Sequence, residues 1–464
     1  MKQPELIESR RWAESQWSSA CLGDARRTRR AIALGAAMLE EPSRSLPQQT
    51  KSWKALKGAY RLLNNPEVTP LGLSHAHWDQ TRQRACDRGQ QVVLFLQDST
   101  SFSYAKHQRT EGIGYIGNAG GRGIMAHHAL AVVPSRNAQE GEILGLAWQK
   151  LWNRPERARA KESRSERLAR PRQSQVWEQT LEGIGEAPAH SMWVSVGDRE
   201  SDIYNYMQRS RELGWHFLLR VAHNRRIETS EGLQSYLKSY LRKQPPVLSR
   251  RIHLRASTRR VAQDVELQIS HAVVWITASA LCGQQALGAQ KCWSLRCVGT
   301  TREGEELEWI LLSDLPLEER SSIESAISWY EHRWLIEEYH KCMKTGCRIE
   351  HQKLRSLGGM ENLIAMTSIV SLWLLQLRNV SRVAGDRLAT SVYPIGLIRL
   401  LIAVVCLNTE AEQMRLREFY HSLASLGGFL RRKGDGDPGW QTLWLGWKRL
   451  KDMYDGARIL NNST

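Results

Sequence analysis

Apolar and polar positions alternate with different periods in different parts of the chain. Apolar residues recur at helical spacing up to about residue 75, and again after about residue 360. Between about 91 and 221, short apolar runs typical of buried strands alternate with helical segments, and from about 223 to 310 only short β-like runs follow one another. The pattern predicts an α/β protein with a mixed-sheet core at 76–382, an all-β insertion at about 223–310, and helical units at 1–75 and 383–464.

Two of the predicted strands carry an aspartate near their C-terminal end. Asp98 follows five consecutive apolar residues in the strand predicted at 91–100, and Asp198 closes the strand predicted at 191–198. An aspartate in this position is often no more than a cap for the following turn. Neither residue taken alone therefore indicates a functional site.

The segment 330–344 is predicted to form one helix, with Ser321 and Glu324 as a capping box before it and Gly346 after it. At about 100° per residue, five polar positions fall within a stripe about 80° wide. They are Tyr330, Arg333, Glu337, Lys341 and Lys344. The opposite side is apolar, so a solvated face of an ordinary amphipathic helix and a functional carboxylate among cations are both open at this point.

Charge points to a polyanionic partner. The 464 residues include 65 Lys and Arg against 48 Asp and Glu, a formal net charge of +17 that favours nucleic acid. Basic residues cluster in the first 75 positions, where Arg61 shares one helical side with Lys54 and Lys57, the usual form of a phosphate-contacting helix.

Location is predicted to be cytoplasmic, without a membrane. The first residues contain no apolar signal segment, and the most apolar run, 395–407, is too short to span a bilayer and contains Arg399. The eight cysteines form no CxxC pair and no zinc-finger spacing, which favours reduced thiols.

Asp98, Asp198 and Glu337 together predict a metal site. Three carboxylates that converge from separate elements repel one another unless a cation neutralises them, and hard oxygen ligands select Mg²⁺, with Mn²⁺ as a substitute. Two such ions support phosphodiester chemistry. The neighbouring cations Arg333, Lys341 and Lys344 would then hold phosphates beside the metal ions.

The spacing Tyr330-x2-Arg333-x3-Glu337-x6-Lys344 resembles the Y-(2)-R-(3)-E-(6)-K signature of the insertion-sequence-four family of DDE transposases. Other segments that resemble the family are Trp12-Ala13-Glu14-Ser15, Leu22-Gly23-Asp24, Gly58-Ala59-Tyr60-Arg61, Asp198-Arg199-Glu200 and Leu426-Gly427-Gly428-Phe429. The resemblance implies an RNase H-like catalytic core, a helical DNA-binding domain before it and a helical dimerisation domain after it.

The same resemblance implies cut-and-paste transposition. Water would nick the transposon end, the freed 3′-OH would form a hairpin, and after the hairpin is opened the 3′-OH would join target DNA. The implied partners are double-stranded DNA, as terminal inverted repeats and as target, and a second copy of the chain in a synaptic homodimer. A nucleoid-associated bacterial protein is the implied setting.

Residue roles carry over by position. Asp98, Asp198 and Glu337 match the metal ligands, and Tyr330, Arg333 and Lys344 match residues that grip the phosphate near the hairpin. Trp309 matches an indole that stacks on the base flipped out during hairpin formation, for which aromatic stacking is a physically sensible receptor. The remaining implied DNA contacts are His340, Lys341, Arg27 and Arg30.

Two other functions remain open. A catalytically silent relative could bind DNA ends or inhibit an active copy, although all three carboxylates are present. An RNase H-like nuclease without strand transfer would need neither the insertion nor Trp309 nor a C-terminal unit. The arginine-rich stretch 154–172 is either a DNA contact or a solvated connection.

Overall fold

The computed structural model describes residues 9–105, 109–116, 121–135, 141–154, 172–254, 263–277, 288–432 and 436–462. Most of the arginine-rich stretch 154–172 lies outside these residues, and so do the first eight positions. The α/β prediction is confirmed: helices at both ends enclose a sheet of twelve strands.

The chain begins with helices that pack on one another through buried indoles. The helices are α1 (Ser9–Trp17), α2 (Ala25–Glu40), α3 (Leu46–Thr50), α4 (Trp53–Leu63) and α5 (Pro70–Cys86). Asp24, Ser52 and Thr69 each cap the helix that follows by accepting a backbone N–H. Trp17 is fully buried and donates its indole N–H to the carbonyl of Leu73 at 2.9 Å. The domain boundary predicted at residue 75 falls inside α5, which runs without interruption from Pro70 to Cys86.

The core sheet is built around its first strand. Its strands are β1 (Val92–Ser103), β2 (Tyr115–Ile116), β3 (Gly121–Val133), β4 (Glu142–Trp152), β5 (Met192–Gly197) and β6 (His216–Arg220), with helices α6 (Val176–Ile184) and α7 (Tyr204–Glu212). β1 pairs antiparallel with β3 and parallel with β5, and β5 pairs parallel with β6. Leu94 and Leu96 enter one hydrophobic cluster, whereas Val93 and Phe95 enter another. The sheet is covered on both faces, which explains the unbroken apolar run in β1.

The predicted all-β insertion continues the core sheet. It contains β7 (Arg226–Thr229), β8 (Gln234–Tyr236), the one-turn helix α8 (Leu237–Leu241), β9 (Leu248–Leu254), β10 (Gln263–Ile276), β11 (Gln290–Thr300) and β12 (Glu306–Ser313). β12 lies antiparallel to β6, so the insertion extends the same hydrogen-bonded ladder. Where the sequence pattern predicts short β-like runs, residues 263–276 form one long strand, β10. Its residues alternate between buried and less buried positions throughout, apart from Ile269 and Ser270, which are both buried.

The predicted single helix at 330–344 is wrong. The chain forms α9 (Arg320–Glu331), α10 (Trp334–Lys341) and a π-helical turn (Cys342–Gly346). The buried ring of His332 donates from Nδ1 to the carbonyl of Ser328 at 2.7 Å, and the backbone N–H of His332 is shared between the same carbonyl at 3.3 Å and that of Trp329 at 3.2 Å. The backbone N–H groups of Arg333, Leu335 and Ile336 bond the carbonyl three residues earlier, which is the tighter spacing of a 3₁₀ turn. The predicted capping box is also absent, because α9 already begins after Glu319.

A long buried helix joins the core to the C-terminal unit. The last helices are α11 (Leu357–Val383), α12 (Ile395–Val404), α13 (Leu416–Leu426) and α14 (Trp440–Asn462). Within the described ranges one stretch, Leu357–Gln376, is long and apolar enough to cross a membrane, but 83% of its apolar window is buried inside the protein. α13 and α14 approach closely because Gly446 has no side chain: a Cβ there would lie 1.7 Å from the carbonyl oxygen of Leu423.

Candidate active site

Strand register brings the two predicted aspartates side by side. β1 and β5 run parallel with Leu96 opposite Val196, so Asp98 and Asp198 each lie two residues beyond the last matched pair. Asp98 is inside β1 and accepts the N–H of Ser99 at 2.9 Å. Asp198 follows β5 and caps a short turn by accepting the N–H of Glu200 at 2.8 Å. The sheet therefore holds both carboxylates next to each other, where β5 ends.

Asp98 lies in an environment that resists its ionisation. Burial and the carboxylate of Asp198 raise its pKa to about 7; Glu337 adds to the rise and Arg333 opposes it. Coupling of this kind requires that all four groups lie near one another. The structure thus brings together the three carboxylates that were predicted from separate elements, and leaves their negative charge only partly compensated.

Glu337 differs from the aspartates in its exposure and its partner. Its side chain is 55% exposed on α10 and forms an ion pair with Arg333, one helical turn earlier. Burial alone would lower the pKa of Arg333, but Tyr330 and Glu337 raise it above its usual value. Arg333 therefore stays charged, and it interacts with both Glu337 and Asp98.

Two aromatic residues continue the site away from the carboxylates. The guanidinium of Arg333 lies 5.9 Å from the ring centre of Tyr330, and the ring of Tyr330 lies 6.1 Å from that of Trp309 on β12. Burial raises the pKa of Tyr330, while Arg333 and Arg220 oppose the rise. Trp309 is partly exposed, whereas Tyr330 is only 6% exposed. Arg220 was not singled out from the sequence, since a lone arginine at a strand end carries no signal there.

The remaining predicted contacts on this helix separate into three environments. Lys341 is exposed in the last turn of α10, and Lys344 is half-buried with its ammonium 6.0 Å from the ring centre of Phe102. His340 is only 6% exposed, and its Nδ1 lies 3.7 Å from a carboxylate oxygen of Asp98. Burial lowers the pKa of His340 well below its usual value, so its ring is neutral.

The predicted contacts of the N-terminal helices lie in a different part of the molecule. Arg30 and Arg61 are exposed. Arg27 is an ion-pair partner of Glu67 and donates to the carbonyl of Leu22 at 3.0 Å, so it also holds its own domain together.

Two buried polar pairs on neighbouring strands were not predicted from the sequence. Gln97 on β1 bonds His127 on β3, and His128 on β3 bonds Gln149 on β4. The adjacent histidines in an otherwise apolar strand, 124–133, were the available signal, but the partners of each ring depend on tertiary contacts.

Another acidic residue close to Asp198 has a structural role. The carboxylate of Asp202 is fully buried and is bonded by the N–H groups of Ala222 and His223 and by the guanidinium of Arg225 at 2.8 Å. All these donors are satisfied by one side chain, so Asp202 fastens the segment after β5 and is not available to a metal ion.

The chemistry of the donors fits a divalent cation. Asp98 and Asp198 supply hard oxygen ligands whose mutual repulsion a cation would relieve. In the part of the chain that the structure describes, no group of three or more His, Cys, Asp or Glu side chains is already gathered closely enough to hold a metal ion. Glu337, the third predicted ligand, has its carboxylate paired with Arg333.

Three family models match the chain, each in one region. A model described as transposase DNA-binding matches residues 9–68, and one described as transposase DDE domain matches 168–373. A third, described as transposase Tn5 dimerisation domain, matches 405–463. The second match includes Asp198 and Glu337 and begins after Asp98. Each match falls within one of the three regions predicted from the sequence pattern.

Proposed function

Since the chain belongs to the Tn5-type DDE transposases, we propose that it excises its own element from DNA and joins it to a new site. The observation that carries this proposal is the coupled group of Asp98, Asp198 and Glu337 at one edge of the sheet. Its substrates are the terminal inverted repeats of the element and target DNA. The activity belongs in the cytoplasm at the nucleoid, where both substrates are found.

Asp98, Asp198 and Glu337 would hold Mg²⁺, with Mn²⁺ as a substitute. When bound, such ions activate an attacking oxygen and stabilise the leaving one in phosphodiester cleavage and strand transfer. Asp98 and Asp198 are already fixed by β1 and β5. Glu337 has to leave Arg333 to join them, and an incoming phosphate offers Arg333 a replacement partner.

Phosphate is gripped by the cationic side of the site. Arg333 donates to the scissile phosphate, and the ring of Tyr330 contacts its guanidinium. Lys341 and Lys344 bind the neighbouring phosphates. Trp309, which is partly exposed and lies next to Tyr330, receives a base flipped out of the stack as the 3′-OH forms a hairpin with the opposite strand.

The end domains bring two DNA ends together. Arg30 and Arg61 are exposed on the region matched by the DNA-binding model and contact the inverted repeat; Arg27 contributes beside them. The region matched by the dimerisation model pairs two copies, so that each end is held in a synaptic homodimer.

Cleavage of a plasmid that carries the element's own inverted repeats tests the proposal. With Mg²⁺, the wild-type protein should release hairpin ends and then strand-transfer products. Glu337→Gln should abolish both and leave end binding unchanged, whereas Glu338→Gln, the adjacent carboxylate on α10, should cleave normally.

Cleavage by Glu337→Gln at the wild-type rate would refute the proposed site. If the wild-type protein binds ends but cleaves with neither Mg²⁺ nor Mn²⁺, the chain is instead a silent end-binding or inhibitory relative. Nicks without strand transfer would favour a simple nuclease.

A further inference from the structure

A chain of three buried side chains ends at Asp98. The amide nitrogen of Gln149, on β4, lies 2.8 Å from Nε2 of His128, on β3. Nδ1 of His128 lies 3.0 Å from Nε2 of His340 on α10. The other ring nitrogen of His340, Nδ1, faces Oδ2 of Asp98 at 3.7 Å. Gln149, His128 and Asp98 are neighbours across β4, β3 and β1, so the chain runs along one face of the sheet to a proposed metal ligand.

Ser368 fixes the direction of this chain at its far end. Its hydroxyl donates to the carbonyl of Ile364 at 2.8 Å, so its oxygen can only accept from Gln149 at 2.5 Å. The group that Gln149 presents to Ser368 and His128 must therefore be its NH₂. The opposite amide orientation would place two buried N–H groups where Oε1 now has no partner among the described residues, which is the costlier arrangement.

The NH₂ group of Gln149 decides where each proton of the chain lies. Nε2 of His128 accepts from Gln149, so a neutral ring carries its proton on Nδ1 and donates it to His340. Nε2 of His340 is then an acceptor, and its proton lies on Nδ1. A ring with the opposite tautomer would turn a lone pair towards the carboxylate of Asp98.

The other oxygen of Asp98 is also constrained. Oδ1 accepts the backbone N–H of Ser99 at 2.9 Å, while Oδ2 faces the N–H of His340. The backbone bond fixes Oδ1, and the ring of His340 faces Oδ2 at a distance longer than a hydrogen bond in the metal-free protein. Both imidazoles are enclosed, with His128 fully buried and His340 6% exposed, so solvent does not compete for their nitrogens.

We propose that Gln149 and His128 hold His340 in its Nδ1–H tautomer, and that His340 acts as a positioning residue that orients the carboxylate of Asp98 for a divalent cation. His340 is thereby given a role different from the phosphate contact predicted from the sequence. The proposal rests on Asp98 as a metal ligand, which belongs to the proposed function. Hydrogen-bond partners behind a ligand commonly change metal affinity by about 10- to 100-fold.

Histidine ¹⁵N spectra of the full-length, metal-free protein test the tautomers directly. His128 and His340, assigned by the signals lost in His128→Asn and His340→Asn, should both show a protonated Nδ1 and an unprotonated Nε2. Gln149→Met removes the donor to His128 and should shift both rings towards a mixture of tautomers. Ser371→Ala is the matched control, because it removes a buried hydroxyl of the same helix, α11, that bonds Thr367 and Cys347 and not the amide of Gln149. A protonated Nε2 on His340 in the wild-type protein would overturn the proposal.

Mn²⁺ titration without DNA, followed by electron paramagnetic resonance, tests the consequence for the metal. His340→Gln retains an amide near the position of Nε2 but loses the donor facing Asp98, and should weaken Mn²⁺ binding about tenfold. His340→Asn places an amide where Nδ1 lies and should stay within about threefold of wild type. Equal losses in the two variants would indicate packing alone and would refute the positioning role.

Asp98→Asn separates this inference from the proposed function. It should abolish the tight Mn²⁺ site while the tautomers of His128 and His340 are kept. Unchanged Mn²⁺ affinity in Asp98→Asn would refute Asp98 as a ligand and with it the metal role of His340. Tautomer ratios would still report whether Gln149 directs the rings.

Discussion

The three carboxylates of the proposed site are held in two different ways: Asp98 and Asp198 form a strand half, and Glu337 forms a helix half. Asp98 and Asp198 lie on paired parallel strands, and Asp98 is largely buried with a pKa raised to about 7. Glu337 lies on α10, just after a break in the helix, with 55% of its side chain exposed and Arg333 as its partner. The strand half is therefore a fixed half, in which two carboxylates repel each other. The helix half is an adjustable half, whose charge is neutralised by Arg333.

The difference indicates how such a site stays inactive until it is loaded. Two carboxylates that repel each other need a cation, but the third remains paired with an arginine until phosphate competes for that arginine. In the proposed function, Glu337 joins the site only when DNA and metal are both present, whereas Asp98 and Asp198 can bind a cation without DNA. The fixed half sets the geometry, and the adjustable half makes the completed site depend on substrate.

The largest effect should come from loosening the fixed half. Asp202→Asn removes the fully buried charge that neutralises Arg225, which is 16% exposed, and should lower the free energy of unfolding by about 3 kcal/mol. Urea denaturation measures the loss. Asp198→Asn is the matched control: asparagine still caps the turn, so stability should change by less than about 0.5 kcal/mol. Similar losses in both variants would contradict the division between anchor and ligand.

Changing the length of each carboxylate separates the halves by activity. Asp98→Glu pushes an extra methylene against buried neighbours in β1 and should reduce Mg²⁺-dependent cleavage by about 10²-fold or more, since a displacement of about 1 Å has that cost. Glu337→Asp, on the exposed helix, should be about tenfold less damaging, because its side chain and helix can move to compensate. Single-turnover cleavage rates decide, and equal losses would show that both halves are equally rigid.

Removing the strain should stabilise the metal-free protein. The folded-state pKa of Asp98 is about 7 against an ordinary value of 3.8, so the folded form loses stability as pH rises from about 4 to 7, and the full penalty applies above 7. This difference in pKa corresponds to about 4 kcal/mol, and burial of the asparagine amide offsets part of it. Asp98→Asn should therefore raise stability by about 1–3 kcal/mol at pH 8, with the gain vanishing towards pH 4. Thermal melts at both pH values provide the measurement. A gain that is the same at pH 4 and pH 8 would exclude ionisation as its cause.

All three carboxylates were open to prediction from the sequence, but the way Glu337 is held was not. An apolar run that ends in an aspartate encodes Asp98 and Asp198 locally, and parallel pairing of two such strands follows from their burial. At the helix break the ring of His332 bonds the carbonyl of Ser328, and the contact of His340 with His128 joins positions 212 residues apart. Local periodicity carries no record of such contacts, so it predicted a continuous helix and gave no sign of the buried partners of His340.

The smallest effect should come from releasing the adjustable half. Arg333→Gln frees Glu337 from its ion pair. The two residues lie one helical turn apart and Glu337 is 55% exposed, although Arg333 is only 18% exposed, so stability should fall by about 0.5 kcal/mol. In the absence of DNA, the freed carboxylate should bind Mn²⁺ about twofold more tightly, since half a kilocalorie no longer opposes its rotation. Titration of Mn²⁺ without DNA measures this gain. The control is Arg320→Gln, which removes an ion pair of the same spacing with Glu324 on α9, at a more exposed arginine. Weaker Mn²⁺ binding in Arg333→Gln would mean that Arg333 holds Glu337 towards the aspartates, and that the site is assembled before DNA arrives.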